Sequence, residues 1–518
     1  MDNAANNKRI AKNTALLYIR MLLMMLVSLY TSRVTLQVLG VTDFGIYNVV
    51  AGVVFMIGFF QSSLSNAAQR YLSLSIGKND VQGAEIAFRQ SFSILLVFSF
   101  LVLVVGETVG LWFVSEKLVI PFERRNAALW VYQFSLISVF FSLIQVTPLA
   151  DIVSREKMSI YAYLGLFESF VKLGIVYLLL ITSADRLIIY GMLMALVSIV
   201  TFFIYLFYCF RKFTEAKVEW YWNKTLVGEM SKFIGYNLFG CFAYSGAEQG
   251  VSIVLNLFFG PAVNAARGIS LQVVHIVTRF TDSLMTAFKP QIIKSYGAGD
   301  IAYMLMLIEK SSRFSFFLAA IIAFPIMANM QQILELWLGR VPEYTSSFTI
   351  LVMIETLIGT LASPLWVVAN ATGVIKYNQV YGRLITLLAL PFSYLSLLIL
   401  PNPNIAILWL VITQFFYWMY CVYDVKAQVG LELFIYAKKV ISPCFFIVSF
   451  FCIFSCLPFN TMPYHPIIVL AVSLSANFLF GCIIIFIMLD RKEKLMLHSL
   501  ITKVWHRLNG EQMLNQYL

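Results

Sequence analysis

Six residues spaced three or four apart, Gln272, His275, Arg279, Asp282, Thr286 and Lys289, carry the densest chemistry in an otherwise apolar chain. At about 100° per residue, His275 to Lys289 fall within an arc of roughly 80° on one helical face, with Gln272 at its border. Guanidinium, ammonium and imidazole groups aligned in this way suit an anion, because Arg grips phosphate oxygens through two parallel hydrogen bonds. The competing reading is that Arg279 and Asp282 neutralise one another and simply bury themselves. A self-satisfied pair needs one helical turn, whereas this polar face extends over several, which favours a lumen. Arg267, nearer the external end of the same helix, would add an upper anion contact. No Gly-rich loop or cluster of acids accompanies these residues, as phosphate-processing enzymes require.

The helix that carries this face is written twice. Gly40 to Asp80 aligns with Gly260 to Asp300 without a gap, an offset of 220, and Gly40/Gly260, Ser63/Ser283, Ala67/Ala287, Gly77/Gly297 and Asp80/Asp300 coincide. In the first copy the corresponding face reads Asn48, Gly52, Phe55, Phe59, Ser62, Asn66 and Gln69, neutral and aromatic groups compatible with sugars. Gly77 and Gly297, just before Asp80 and Asp300, mark tight turns. The repeat continues as Arg89-Gln-Ser-Phe92 against Arg313-Phe-Ser-Phe316, and as Thr147-Pro148-Leu149 against Ser363-Pro364-Leu365. A proline inside a spanning helix removes a hydrogen bond and permits a kink, which suits either a bending lobe or a static packing bend.

The surroundings are a bilayer. Of 518 residues 60% are hydrophobic and 12% charged, against about 25% charged in a soluble domain. Apolar stretches near the roughly 20 residues that span hydrocarbon occur at 14–39, 44–72, 88–114, 128–152, 160–182, 187–210, 233–259, 264–293, 312–336, 346–372, 377–400, 405–425, 440–458 and 466–489. The fold class is therefore all-α and polytopic, with about fourteen helices. Six of them separate the two copies, so the repeat is parallel, with its axis along the membrane normal. This gives lobes at 1–210 and 233–425, joined by an amphipathic linker at 211–232 that carries Trp220, Tyr221 and Trp222. An extra hairpin follows within 426–489, and a tail at 490–518, with Leu497, Leu500, Ile501 and Val504 on one face, is expected to lie on the membrane surface.

Lys and Arg set the orientation. Lys8, Arg9, Lys12, Arg155, Lys157, Lys294 and many others fall on one side, and only Lys117, Arg124, Arg125, Arg186 and Arg340 on the other. That bias puts both termini in the cytoplasm. The net charge of +11 then reflects topology and contact with anionic lipids, and needs no nucleic-acid partner. The first apolar run lacks a convincing cleavage site, so it is expected to remain as a helix. The seven cysteines lie in or at the ends of apolar spans, so neither disulfides nor a metal site is expected, and Cys452 and Cys456, one turn apart, read as packing.

A charge deep in hydrocarbon costs roughly 3 kcal/mol or more, so the remaining intramembrane charges count individually. Arg20 and Arg33 either snorkel to the headgroups or supply one cation near each mouth, about 140° apart around their helix. Glu168 and Lys172 can pair within their helix. Glu248 and Glu355 have no local cation, so each is protonated or partnered across helices. These four are candidates for coupling transport to protons or sodium, the one cofactor-like requirement expected.

Leu39-Gly40-Val41-Thr42-Asp43-Phe44-Gly45-Ile46-Tyr47, Asn66-Ala67-Ala68-Gln69-Arg70-Tyr71 and Gly77 resemble the polysaccharide-transport branch of the multidrug/oligosaccharidyl-lipid/polysaccharide (MOP) exporter superfamily, which includes O-antigen repeat-unit flippases. The resemblance implies two six-helix bundles forming a V around a central cavity, plus two added helices, in the bacterial cytoplasmic membrane. It implies alternating access that flips polyprenyl-pyrophosphate-linked oligosaccharides to the outer leaflet, by a monomer that could associate with polysaccharide assembly proteins. By analogy with lipid-II flippases, the hairpin at 440–489 would guide the prenyl chain, and Arg20, Arg33 and Asp43 lie where those relatives keep gating charges. Multidrug members bind cations through an acid in the first helix, whereas this one has Arg20 and Arg33. A cation-coupled multidrug exporter is the second reading. A membrane polymerase or ligase is the third, and it would need a long external loop that no connection here provides.

Overall fold

The computed structural model of the protein describes residues 3–55, 58–116, 120–338, 341–455, 466–490 and 493–494. Among these residues all regular structure is helical, as expected where no water is available to satisfy backbone groups except within each helix. Eleven stretches are long and apolar enough to cross a membrane. Further helical segments, 41–55 with Gly58–Gly77, Lys224–Phe259 and Pro261–Gly297, lie at the positions of the remaining expected helices, and the last of them carries the polar stripe from Gln272 to Lys289.

The duplication reaches the backbone torsions. The long helix Asn3–Phe55 is kinked at Gly40, with φ 79° and ψ 167°, and Lys224–Phe259 meets Pro261–Gly297 at Gly260, with φ 79° and ψ −172°. Such angles strain any residue with a side chain, so glycine fixes both corners. At the other end of each copy, Asn79 and Gly299 take positive φ. Asp80 and Asp300 then cap the next helices, accepting from the backbone N–H of Gly83 at 2.8 Å and of Tyr303 at 3.0 Å.

The proline pair sits within helices that continue. In the first lobe Arg125–Ile144 joins Val146–Ser154 through Gln145, which keeps helical torsions (φ −63°, ψ −20°) and hydrogen bonds to Phe141 and from Leu149, and in the second Thr345–Thr372 runs through Pro364.

The first lobe's last helix ends at Lys212 and the next begins at Lys224, so the connection is 213–223, shorter than expected and not helical. Arg89 pairs with Glu219 at 2.7 Å, Tyr221 N–H donates to Ser93 and Asn223 N–H to Gln90. Trp220 and Trp222 stack with centroids 5.6 Å apart and remain exposed. Arg313, the counterpart of Arg89, plays the same part for the chain after the last helix, reaching Glu493 at 2.6 Å. The final hairpin packs on Ile301–Ala328, where Phe451 stacks on Phe324 at 4.5 Å and Gly481 leaves room for its ring. Tail residues 495–518 and Cys456 lie outside the described residues.

Candidate functional site

The lobes touch where the two copies end. A Cβ added to Gly77 would overlap the Lys294 carbonyl, and one added to Gly297 would come within 2.6 Å of the Leu74 carbonyl oxygen. Leu74 and Lys294 are themselves equivalent positions, so the crossing is reciprocal, as at a two-fold axis. Beside it, polar contacts join the lobes at three places among the described residues. Lys289 donates to the side-chain oxygen of Asn66 and lies 5.3 Å from the Trp366 ring. The Arg70 guanidinium donates to the Asn370 carbonyl at 2.5 Å, against the ring of Phe233. Lys294 and Gln291 both donate to Glu156, whose side chain is fully buried and also receives Arg9 at 2.7 Å. Past Tyr18 and Phe280, which approach to 6.0 Å, Gln272, His275 and Arg279 are exposed.

The charged stripe divides between two spaces. A cavity of about 190 Å³ inside the second lobe is lined by Glu248, His275, Thr278, Asp282, Glu355 and Gln414 among others. Arg279 and Gln272 are exposed outside that lining, and Lys289 is half-buried at the inter-lobe contact. Arg279 and Asp282 form no ion pair with each other among the described residues, so the self-neutralised pair is not formed.

Arg267 requires a correction. It is 1% exposed and donates to Glu248 at 2.6 Å inside the second lobe, so it is not an upper anion contact. Twelve residues from Arg279, it points about 120° away around the helix. Glu248 thus has a partner across helices, while Glu355, 6% exposed, lies near Glu248 with no cation of its own among the described residues.

The first lobe holds its charges differently. Arg20 is half-buried, 4.0 Å from the Tyr161 centroid, over Gly165, so it faces a helix of its own lobe rather than a headgroup layer. Arg33 is exposed. Asp43 and Asp185 both close on Arg124, so Asp43 staples its own lobe and does not bridge to the other. Glu168 and Lys172 pair at 2.6 Å. Of the neutral face, Ser62 is exposed, Asn66 holds Lys289, and Gln69 is buried at 7% with its carbonyl accepting from Ser154, a correction to its expected place in the lumen. The side chain of Asn48 lies outside the described ones.

Three buried acids escape a reading based on helix faces. Glu156 lies in a short connection between Arg155 and Lys157, at φ 58°. Glu215 pairs with Arg155 at 2.6 Å, and both carboxyl oxygens of fully buried Asp151 lack a hydrogen-bond donor. An acid between two basic residues in a connection was the one available signal for Glu156.

No family profile and no curated protein matches the sequence. Solved structures do. An outward-facing MATE family multidrug resistance transporter of the MOP superfamily superposes with a TM-score of 0.69 at 12% identity, over 82% of this chain and 96% of that one. A MOP superfamily transporter from Pyrococcus furiosus, described as having a binding pocket of reversed polarity, gives 0.67 at 12%, over 81% and 96%. The Vibrio cholerae MATE transporter VcmN, in a singly substituted form, gives 0.66 at 15%, over 83% and 98%. At such identities the likeness establishes the fold: this is a multi-pass membrane protein with the architecture of MOP superfamily transporters, and its structural neighbours are transporters rather than enzymes.

Proposed function

We propose that the protein flips polyprenyl-pyrophosphate-linked oligosaccharides from the inner to the outer leaflet of a bacterial cytoplasmic membrane. One observation carries this reading: Arg279 is exposed and Lys289 sits at the contact between the lobes, neither with a carboxylate partner among the described residues, and no acid occurs between Asn3 and Gly40. A diphosphate crossing hydrocarbon needs such groups, since bidentate Arg contacts replace the water that its oxygens lose. The exposed Ser62 is a neutral group of the kind that meets sugar hydroxyls. With the Lys-rich end in the cytoplasm, the crossing at Gly77 and Gly297 closes the loading side, and exposed Gln272, His275 and Arg279 lie toward the release side. The lobes then rock about this crossing while the prenyl chain stays in the bilayer, alongside the last hairpin. Glu248, Glu355, Asp282 and His275 around the second-lobe cavity would carry the coupling proton or sodium.

The same cavity supports the second reading. Three carboxyl groups around 190 Å³ would also suit an organic cation, as in a multidrug exporter. Deleting the gene and assaying lipid-linked intermediates separates the two. The flippase reading expects these intermediates to accumulate with no change in sensitivity to cationic dyes. Hypersensitivity to the dyes with normal intermediates would favour the exporter.

A further inference from the structure

The closed floor between the lobes holds two cations, Lys289 and Arg70, that no carboxylate contacts among the described residues. Lys289 is met by a neutral amide oxygen and Arg70 by a backbone carbonyl. Exposed Glu229 bears on Arg70 only as a nearby charge. Lys294, 7% exposed, shares the single carboxylate of Glu156 with Arg9. Behind this group Arg155 is matched to Glu215, and Asp151 is the remaining acid. Sequestering an ammonium or guanidinium group without a full counter-charge is unfavourable. Such groups make sense where a second conformation uses them.

The contacts share one geometric property. Asn66, Arg70 and Glu156 belong to the first lobe, and Lys289, Asn370 and Lys294 to the second. Separation of the lobes at Gly77 and Gly297 therefore breaks all three at once and leaves Arg70, Lys289 and Lys294 along the mouth that opens. We propose that these three side chains form the loading site for a prenyl diphosphate in the state open at the Lys-rich end, and that Glu156 is the internal anion occupying Lys294 when no substrate is present. This rests on the flippase reading and adds a regulation to it. Substrate diphosphate and Glu156 compete for the same cation, so loading releases the latch, and an empty transporter stays closed on this side. By linkage, whatever weakens the latch must strengthen diphosphate binding by the same factor.

The test uses the full-length protein in lipid nanodiscs, with farnesyl diphosphate, farnesol, inorganic pyrophosphate and tetraphenylphosphonium as probes. Spin labels at Lys78 and Ala298, both exposed, in a background without native cysteines, report the separation of the lobes. Glu156→Gln is expected to lengthen that distance without ligand and to tighten farnesyl diphosphate binding roughly tenfold, the scale of one charge-assisted contact. Farnesyl diphosphate should lengthen it in the wild type, pyrophosphate should compete, and farnesol should do neither. Lys289→Gln, at a half-buried position, is expected to weaken binding about tenfold with an unchanged melting temperature, and keeps the test decisive should the Glu156 variant not fold. Equal farnesyl diphosphate affinity in wild type, Glu156→Gln and Lys289→Gln would overturn the loading site and leave the flippase reading standing. Binding of tetraphenylphosphonium with no binding of farnesyl diphosphate to any form would overturn both.

Discussion

In the first lobe Asp43 and Asp185 close on Arg124, Glu168 on Lys172 and Glu215 on Arg155, while Arg20 lies on the ring of Tyr161. The second lobe pairs Arg267 with Glu248 internally, and Arg313 with Glu493 and Glu309 with Lys439 toward the last hairpin and the chain after it, but keeps Asp282 and Glu355 around a cavity and Arg279 exposed, none of the three ion-paired among the described residues. Pairing is the low-energy choice for a charge in hydrocarbon, so charges left unpaired beside accessible space point to a solute or ion that completes them. The two lobes share a frame down to the torsions of Gly40 and Gly260. Their difference is that the duplicated frame was kept while the placement of charge diverged.

Four substitutions test this contrast. Glu248→Gln strands a buried guanidinium and is expected to destabilise the purified protein by about 3–5 kcal/mol, with much of it regained when Arg267→Met is added. A small change in melting would mean that this pair is no more structural than the partly exposed ones of the first lobe. Arg279→Ala is expected to cut translocation about 10- to 100-fold, the cost of one charged contact, at normal membrane levels and melting temperature. Wild-type surface glycan in that variant would remove Arg279 from the lumen. Asp43→Asn, at a partly exposed pair, is expected to cost about 1 kcal/mol and leave transport intact. Lost transport at unchanged stability would instead move Asp43 from the frame to a gate. Glu168→Gln is expected to change melting by at most about 0.5 kcal/mol and to leave the pH dependence of transport alone. A flattened pH profile would turn that pair into a coupling site.

How far the sequence could be read varies with the kind of residue. Gly40, Gly77, Gly260 and Gly297 stood out as pairs of a repeat at fixed offset, but Gly77 and Gly297 were read as turn residues, whereas they end helices and let the backbones of the two lobes cross, and the positive φ of the turns falls at Asn79 and Gly299. The stripe from Gln272 to Lys289 was legible as one helical face. Its division was not, because an arc of roughly 80° is wide enough to reach a cavity, an exposed surface and a neighbouring helix together. Arg267 and Gln69 were misplaced for the same reason: helical arithmetic gives the angle about a residue's own axis and says nothing of what stands there. Glu156, Glu215 and Lys294 were passed over because charges in and beside connections ordinarily meet water. Their burial depends on both lobes closing over the same connection.

By itself the sequence determined that the chain spans a membrane many times, that two lobes are copies, and where their equivalent corners lie. Hydropathy, charge bias and glycine's torsional freedom are local properties that need no knowledge of neighbours. Tertiary structure alone decided which charges are satisfied. Whether Arg124 meets Asp43 and whether Lys294 meets Glu156 depends on how helices distant in the chain are brought side by side, and electrostatic energy is set by those separations and by the water they exclude.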